Sequence, residues 1–125
     1  MHYLLLCCFD EKRWDALPAV QRDQIMQRYG ELVEGWIAAG RYVTGGKLAP
    51  SSSATTVRSR DAKSAITDGP FAETKEQLGG YHLLECGDLD EALSMATRIP
   101  TLEAGGTVEV RPLQARLGKN APSGR

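Results

Sequence analysis

Asp68-Gly69-Pro70-Phe71-Ala72-Glu73-Thr74-Lys75-Glu76 forms a stiff, charged turn between two strand-like segments. Pro70 fixes its own φ and pushes Gly69 out of the helical region. The turn therefore presents Asp68 at the end of a strand in a defined direction. Phe71 is expected to anchor the loop into the core, with Glu73, Lys75 and Glu76 projecting nearby. Carboxylates and an ammonium held close suit acid–base work, because a carboxylate beside a lysine stays ionised while a desolvated one rises toward neutral pH. The same residues also fit a structural role. An Asp before Gly-Pro hydrogen-bonds turn amides, and Glu-Thr-Lys-Glu matches an exposed first helical turn.

Upstream of this turn, residues 54–60 are rich in Thr and Val, and residues 64–67 follow the polar link Asp61-Ala62-Lys63, which predicts a half-exposed hairpin. Downstream, Gly79-Gly80 opens a strand over residues 81–86. Residues 2–9 are apolar on both faces and predict a central strand. Ile25, Met26, Tyr29, Leu32, Val33, Trp36 and Ile37 recur at three- and four-residue steps. That stripe predicts a helix over residues 18–39, with Pro18 in its first turn and Gly40 as the left-handed residue that ends it. Residues 41–48 form a strand interrupted by Gly45-Gly46, a bulge or a close backbone approach. Asp88 and Glu91 make a capping-box pattern for a second helix, whose apolar face is Leu89, Ala92, Leu93, Ala96 and Ile99 and whose stop is Pro100. Val108 and Val110 alternate with Glu109 and Arg111 in a last, half-buried strand.

The order strand, helix, strand, hairpin, strand, helix, strand describes an α+β ferredoxin-like sandwich with an antiparallel sheet and an inserted β-hairpin. Two helices cover one face of such a sheet. The other face is polar, binds something, or pairs with a second subunit, and the apolar character of residues 2–9 favours a homodimer.

A chain of 125 residues holds one core, expected over residues 1–113, with a polar, flexible tail over residues 114–125. Hydrophobic residues at 42% and charged residues at 25% suit a soluble globular fold rather than a disordered one. A net charge of −1, with both signs interspersed, argues against nucleic-acid and membrane-surface partners. Residues 2–9 are too short to span a membrane and lack the basic start of a signal peptide, so a cytoplasmic location is expected. Cys7 and Cys8 point to opposite faces of their strand and no CxxC spacing exists, so reduced, buried thiols are expected. Two histidines form no metal-ligand cluster, and Gly45-Gly46 lies in no phosphate-loop pattern, so neither a metal nor a nucleotide cofactor is expected. Small molecules or other proteins remain as partners.

His82 shares a strand face with Leu84 and Cys86, opposite Tyr81, Leu83 and Glu85. It is a candidate proton-transfer group or a packed strand histidine. Trp14, Tyr29 and Trp36 line a pocket for a planar ligand or belong to the core.

The run Thr67-Asp68-Gly69-Pro70-Phe71-Ala72-Glu73-Thr74-Lys75-Glu76-Gln77-Leu78-Gly79-Gly80-Tyr81 closely resembles the signature of DGPF-domain proteins, a branch of the YCII-related family. The likeness extends through Tyr3-Leu4-Leu5-Leu6, Leu48-Ala49-Pro50, Asp88-Leu89-Asp90-Glu91-Ala92 and Val108-Glu109-Val110-Arg111-Pro112. The resemblance implies a dimeric α+β barrel, two ferredoxin-like subunits packed sheet against sheet around a cleft. A relative in the wider group is similar to a lactone dehalogenase, and DGPF proteins are often encoded beside sigma factors of the extracytoplasmic-function type. Members commonly carry a histidine in the first helix, proposed to pair with an aspartate in the cleft, and the corresponding position here is Tyr29. With an unperturbed pKa near ~10, tyrosine is a poor base at neutral pH, which leaves His82 as the substitute.

Three readings stand at this point. In the first, an enzyme acts on a small metabolite by acid–base chemistry of a lyase, isomerase or dehalogenating kind. Asp68 is then the base or orienting carboxylate, Tyr29 or His82 the proton donor, and Phe71, Glu73 and Lys75 meet the substrate. In the second, the chain is a non-catalytic ligand-binding or regulatory module that partners a sigma factor. In the third, the loop only buttresses the fold.

Overall fold

Strand β1 (His2–Phe9) buries Tyr3, Leu5 and Cys7 on one face and leaves Leu4 and Leu6 half-buried on the other. In the computed structural model, which describes residues 1–115 and 117–118, it lies between two antiparallel neighbours, β5 (Gln77–Glu85) and β6 (Thr107–Pro112). Paired along both edges, it is the central strand that its apolar run predicts, with one face on the core and Leu4 and Leu6 on the uncovered face.

The polar stretch after β1 forms a short helix, α1 (Glu11–Asp15), which sequence periodicity did not predict. Asp10 caps it, its carboxylate accepting from the N–H groups of Lys12 and Arg13. Helix α2 (Ala19–Ala38) follows Pro18 and gives way to Gly40 at φ 73°, the expected left-handed terminus. It leads into β2 (Tyr42–Lys47), an edge strand antiparallel to β5 with a bulge between Tyr42 and Thr44. The inserted hairpin, β3 (Thr55–Arg60) and β4 (Lys63–Asp68), forms a two-stranded sheet of its own. Its tight turn holds Asp61 and Ala62 at φ 51° and 64°. After β5 comes α3 (Leu89–Ala96), where the Asp88 carboxylate accepts the Glu91 N–H at 2.9 Å. Glu91 in turn holds Arg41 at 2.5 Å.

The main sheet runs β2-β5-β1-β6, the ferredoxin-like topology. Tyr3, Leu5, Cys7, Leu84 and Cys86 of the sheet meet Trp36 of α2 and Ala92 and Ala96 of α3 in one core. Leu89 and Leu93, expected on the apolar face of the second helix, are 46% and 43% exposed. A helix of eight residues turns few side chains inward, and the two alanines take those places.

The expected dimeric α+β barrel requires correction. The four-stranded sheet ends in free edges at β2 and β6, and no barrel closure is seen among the described residues. Four strands are too few to close on themselves, and the hairpin that could have extended the sheet is diverted into a separate ribbon. On the face away from the helices, Leu4 pairs with Leu83 and Leu6 with Tyr81, flanked by Glu109 and Arg111 of β6. Of the expected flexible tail over residues 114–125, Arg116 and residues 119–125 lie outside the described residues. Among the described residues no helix is long and apolar enough to cross a membrane.

Candidate functional site

A cavity of about 360 Å³ opens between α2 and the end of the sheet where β1, β2 and β5 meet. Phe9, Trp14, Met26 and Val33 supply apolar walls, and Tyr29, Tyr42, Lys47 and His82 supply polar groups. Phe9 and Trp14 meet edge to face with ring centroids 6.2 Å apart, an arrangement that fixes a rigid aromatic corner.

Each polar group arrives there for a local reason. The two-residue period of β5 turns His82 inward with Leu84 and Cys86, all three buried. On α2, Tyr29 lies one turn from Ile25 and two turns from Trp36, on the stripe that packs against the sheet. Tyr42 opens β2 beside the bulge, and its hydroxyl reaches across Gly45, the residue paired with His82. A Cβ on Gly45 would collide with that hydroxyl and stand 2.9 Å from His82 Nδ1. The expected close backbone approach at Gly45-Gly46 is therefore real, and it makes room for a side-chain contact.

The contact belongs to a chain of four groups. Cys7 Sγ lies 3.4 Å from Tyr29 Oη, Tyr29 Oη 2.5 Å from His82 Nε2, and His82 Nδ1 3.1 Å from Tyr42 Oη. The edge of the Trp36–His82 pair, at 78° and 5.7 Å, closes the apolar side. Burial pushes the His82 pKa below its ordinary value because desolvation disfavours the imidazolium. Burial pushes the Tyr29 phenol far up, and its hydrogen bond with Cys7 adds to that. The Cys7 thiol is raised by burial, against a smaller lowering from its bond to Tyr29, and burial raises Tyr42 as well. All four groups are thus neutral near pH 7. Each hydroxyl, the thiol and the imidazole can both give and accept a hydrogen, so the chain can move a proton without first creating a buried charge.

Of the residues expected to form a site, Tyr29 and His82 come together and the others do not. Asp68 ends β4 and is exposed, outside the cavity wall. The loop after it is tied down by other groups. The Gly69 N–H donates to Ala54 O at 2.7 Å, Thr56 Oγ1 to Gly69 O at 2.7 Å, and Arg58 Nη2 to Phe71 O at 3.0 Å. Phe71 is 80% exposed, so the expected anchoring in the core does not occur: the hairpin is a ribbon apart from the main sheet and carries its loop with it. Glu73 and Lys75 are exposed there too. Trp14 lines the cavity, whereas Trp36 belongs to the core. Tyr42 and Cys7 were missed as partners. The signal for Tyr42 was the Gly45-Gly46 pair three residues on, which marked a backbone that something must approach.

Comparison with known proteins adds three findings. An uncharacterized protein of Rhizobium meliloti (strain 1021) is 36% identical over 124 residues, covering 98% of this chain and all of that one. A solved structure of 5-chloro-2-hydroxyhydroquinone dehydrochlorinase from Burkholderia phenoliruptrix AC1100, in complex with 2,5-dihydroxybenzoquinone, shares the fold at a TM-score of 0.54. The likeness covers 91% of this chain and 94% of that one at 16% identity. Residues 1–115 match the YCII-related domain, so the protein belongs to the YCII-related family.

Proposed function

We propose that this protein is an enzyme that moves a proton on a small, planar, oxygen-bearing molecule held in the cavity beside Tyr29, His82 and Tyr42. The observation that carries this is a buried, neutral imidazole with both ring nitrogens bonded to tyrosine hydroxyls at the wall of a ligand-sized cavity. Its volume is at the small end of the range for small-molecule sites, about 300–1,000 Å³. The Phe9–Trp14 corner favours a flat ring. A proton leaving the ligand passes to a tyrosine oxygen as that hydroxyl hands its own proton to the imidazole, and the reverse sequence returns one.

The structural neighbour is a dehydrochlorinase solved in complex with a dihydroxybenzoquinone, which supports hydroxylated, halogen-bearing rings as first substrates to try. In such an elimination one ring O–H forms a C=O as a proton is delivered to the halogen-bearing carbon, which becomes tetrahedral. The second O–H proton then goes to the enzyme, its electron pair forms the second C=O, the ring double bond shifts toward the halogen-bearing carbon, and the carbon–halogen bond breaks to release halide. Chloride release from chlorinated hydroquinones is the test. His82→Ala is expected to lose roughly 10²–10⁴ of the rate, the usual worth of a positioned acid or base. Equal rates for the wild type and His82→Ala would sink the proposal, and saturable binding with no turnover would favour a ligand-sensing module instead. Asp68, Phe71, Glu73 and Lys75 do not line this cavity and are given no role in the reaction so proposed. The open sheet face, with Leu4, Leu6, Tyr81 and Leu83 at its centre, supports self-association of two copies through that face.

A further inference from the structure

Four hydrogens and three bonds leave one hydrogen over. In the chain Cys7–Tyr29–His82–Tyr42 every member carries one mobile hydrogen when neutral, and three contacts join the four groups. The surplus hydrogen is therefore at one end. It belongs either to the Tyr42 hydroxyl or to the Cys7 thiol, and both residues line the cavity. Which end has it depends on the tautomer of His82.

The distances separate the two cases. Hydroxyl donors make the shorter bonds, typically ~2.7–2.8 Å to oxygen, while N–H donors sit nearer ~2.9–3.0 Å. The contact between Tyr29 Oη and His82 Nε2 is the shorter of the ring's two, the order expected when an O–H donates to a bare ring nitrogen on that side. The 3.1 Å contact between His82 Nδ1 and Tyr42 Oη fits a ring N–H donating to a hydroxyl oxygen. The weak sulfur acceptor points the same way, since Tyr29 gives up less by donating to nitrogen than to Cys7.

Building on the acid–base site proposed above, we infer that the network is polarised from Cys7 through Tyr29 and His82 to Tyr42, and that the Tyr42 hydroxyl is its outlet, the donor presented to a ligand. The ligand class follows from that polarity. An outlet that donates takes a carbonyl, enolate or phenolate oxygen, and the Lys47 ammonium on the same wall favours negative charge developing there. Glu34, also on the wall, disfavours an anionic group on its own side, so the oxyanion is directed toward Tyr42 and Lys47. Gly45 acts as a positioning residue, because only a residue without a Cβ lets Tyr42 Oη reach His82 Nδ1.

Nitrogen-15 NMR of histidine-labelled protein at pH 7.5 reads the tautomer in the resting protein. The wild type is expected to show the Nδ1–H form of His82. Tyr42→Phe removes the acceptor and is expected to shift the population toward Nε2–H, whereas Cys7→Ser keeps the polarity because a hydroxyl can replace the thiol donor. A wild-type His82 in the Nε2–H form overturns the inference. Titration with 2,5-dihydroxybenzoquinone, followed by its absorbance, reads the outlet. Loss of one hydrogen bond to a charged oxygen is expected to weaken binding of Tyr42→Phe by about tenfold. Equal affinity in the wild type and Tyr42→Phe, or no binding to either, overturns the assigned ligand class. Because the tautomer is read without turnover, a protein that processes no substrate yet shows Nδ1–H refutes the proposed reaction and leaves the polarity standing. An active enzyme with Nε2–H does the opposite.

Discussion

His82 sits among groups that carry no charge near neutrality: Tyr29 from α2, Tyr42 from β2, the Trp36 ring and, beyond Tyr29, Cys7. Nothing there compensates an imidazolium, and burial holds the folded-state pKa below the ordinary 6.5. Between that lowered value and 6.5 the unfolded chain binds more protons than the folded one, so stability increases with pH. The contribution is complete above about pH 6.5 and is lost as pH falls toward the folded-state pKa. His82→Gln, whose amide still offers a donor and an acceptor, is expected to flatten the fall in melting temperature between pH 7.5 and 5.5. An unchanged fall would assign the acid sensitivity to other groups. At this scale the sequence offered Tyr29 and His82 as separate candidates. Their meeting was not legible, because residues 53 positions apart are brought within a hydrogen bond only by helix–sheet packing.

The helices and strands themselves follow from local rules. Gly40, past the end of α2, adopts φ 73°, and an L side chain there costs about 1 kcal/mol or somewhat more. Gly40→Ala is therefore expected to lower the melting temperature by roughly 4 °C in thermal unfolding. No shift would mean that the terminus relaxes into another conformation. The stripe from Ile25 to Ile37 and the capping pair Asp88 and Glu91 were plain in sequence because both depend on spacings of three and four residues. Helix α1 was not, since five residues hold too little periodicity and its one local mark is the Asp10 cap. Of the two meanings that Gly45-Gly46 offered, the close approach is what the pair provides, while the bulge lies between Tyr42 and Thr44. A glycine pair marks backbone freedom, but register decides where an extra residue is accommodated.

Across the whole molecule, two helices cover one side of a four-stranded sheet and leave the other side bare. If two copies associate through that side, light scattering after size exclusion is expected to give a dimer mass. Leu83→Lys, at the centre of the bare face, would then give a monomer with an unchanged circular dichroism spectrum. A wild-type monomer at micromolar concentration would count against pairing through this surface. Specific interfaces bury about 800 Å² per partner, and a charge at the centre of such a patch costs more than one at its rim. The hairpin belongs to this scale as well. Detached from the main sheet, it leaves Asp68 and Phe71 exposed and off the wall of the cavity.

By itself the sequence determined the family, the order of the main strands and helices, the inserted hairpin and which residues of β5 share a face, because turn chemistry, capping and periodicity are written in residues a few positions apart. The tertiary structure decided that the sheet stays open and that the DGPF loop stands outside the chain's own cavity. It also decided that the site is the meeting of Cys7, Tyr29, His82 and Tyr42. The physical reason is one of range. Four elements must dock, and one bulge must set the register, before four neutral side chains far apart in the chain can share hydrogens.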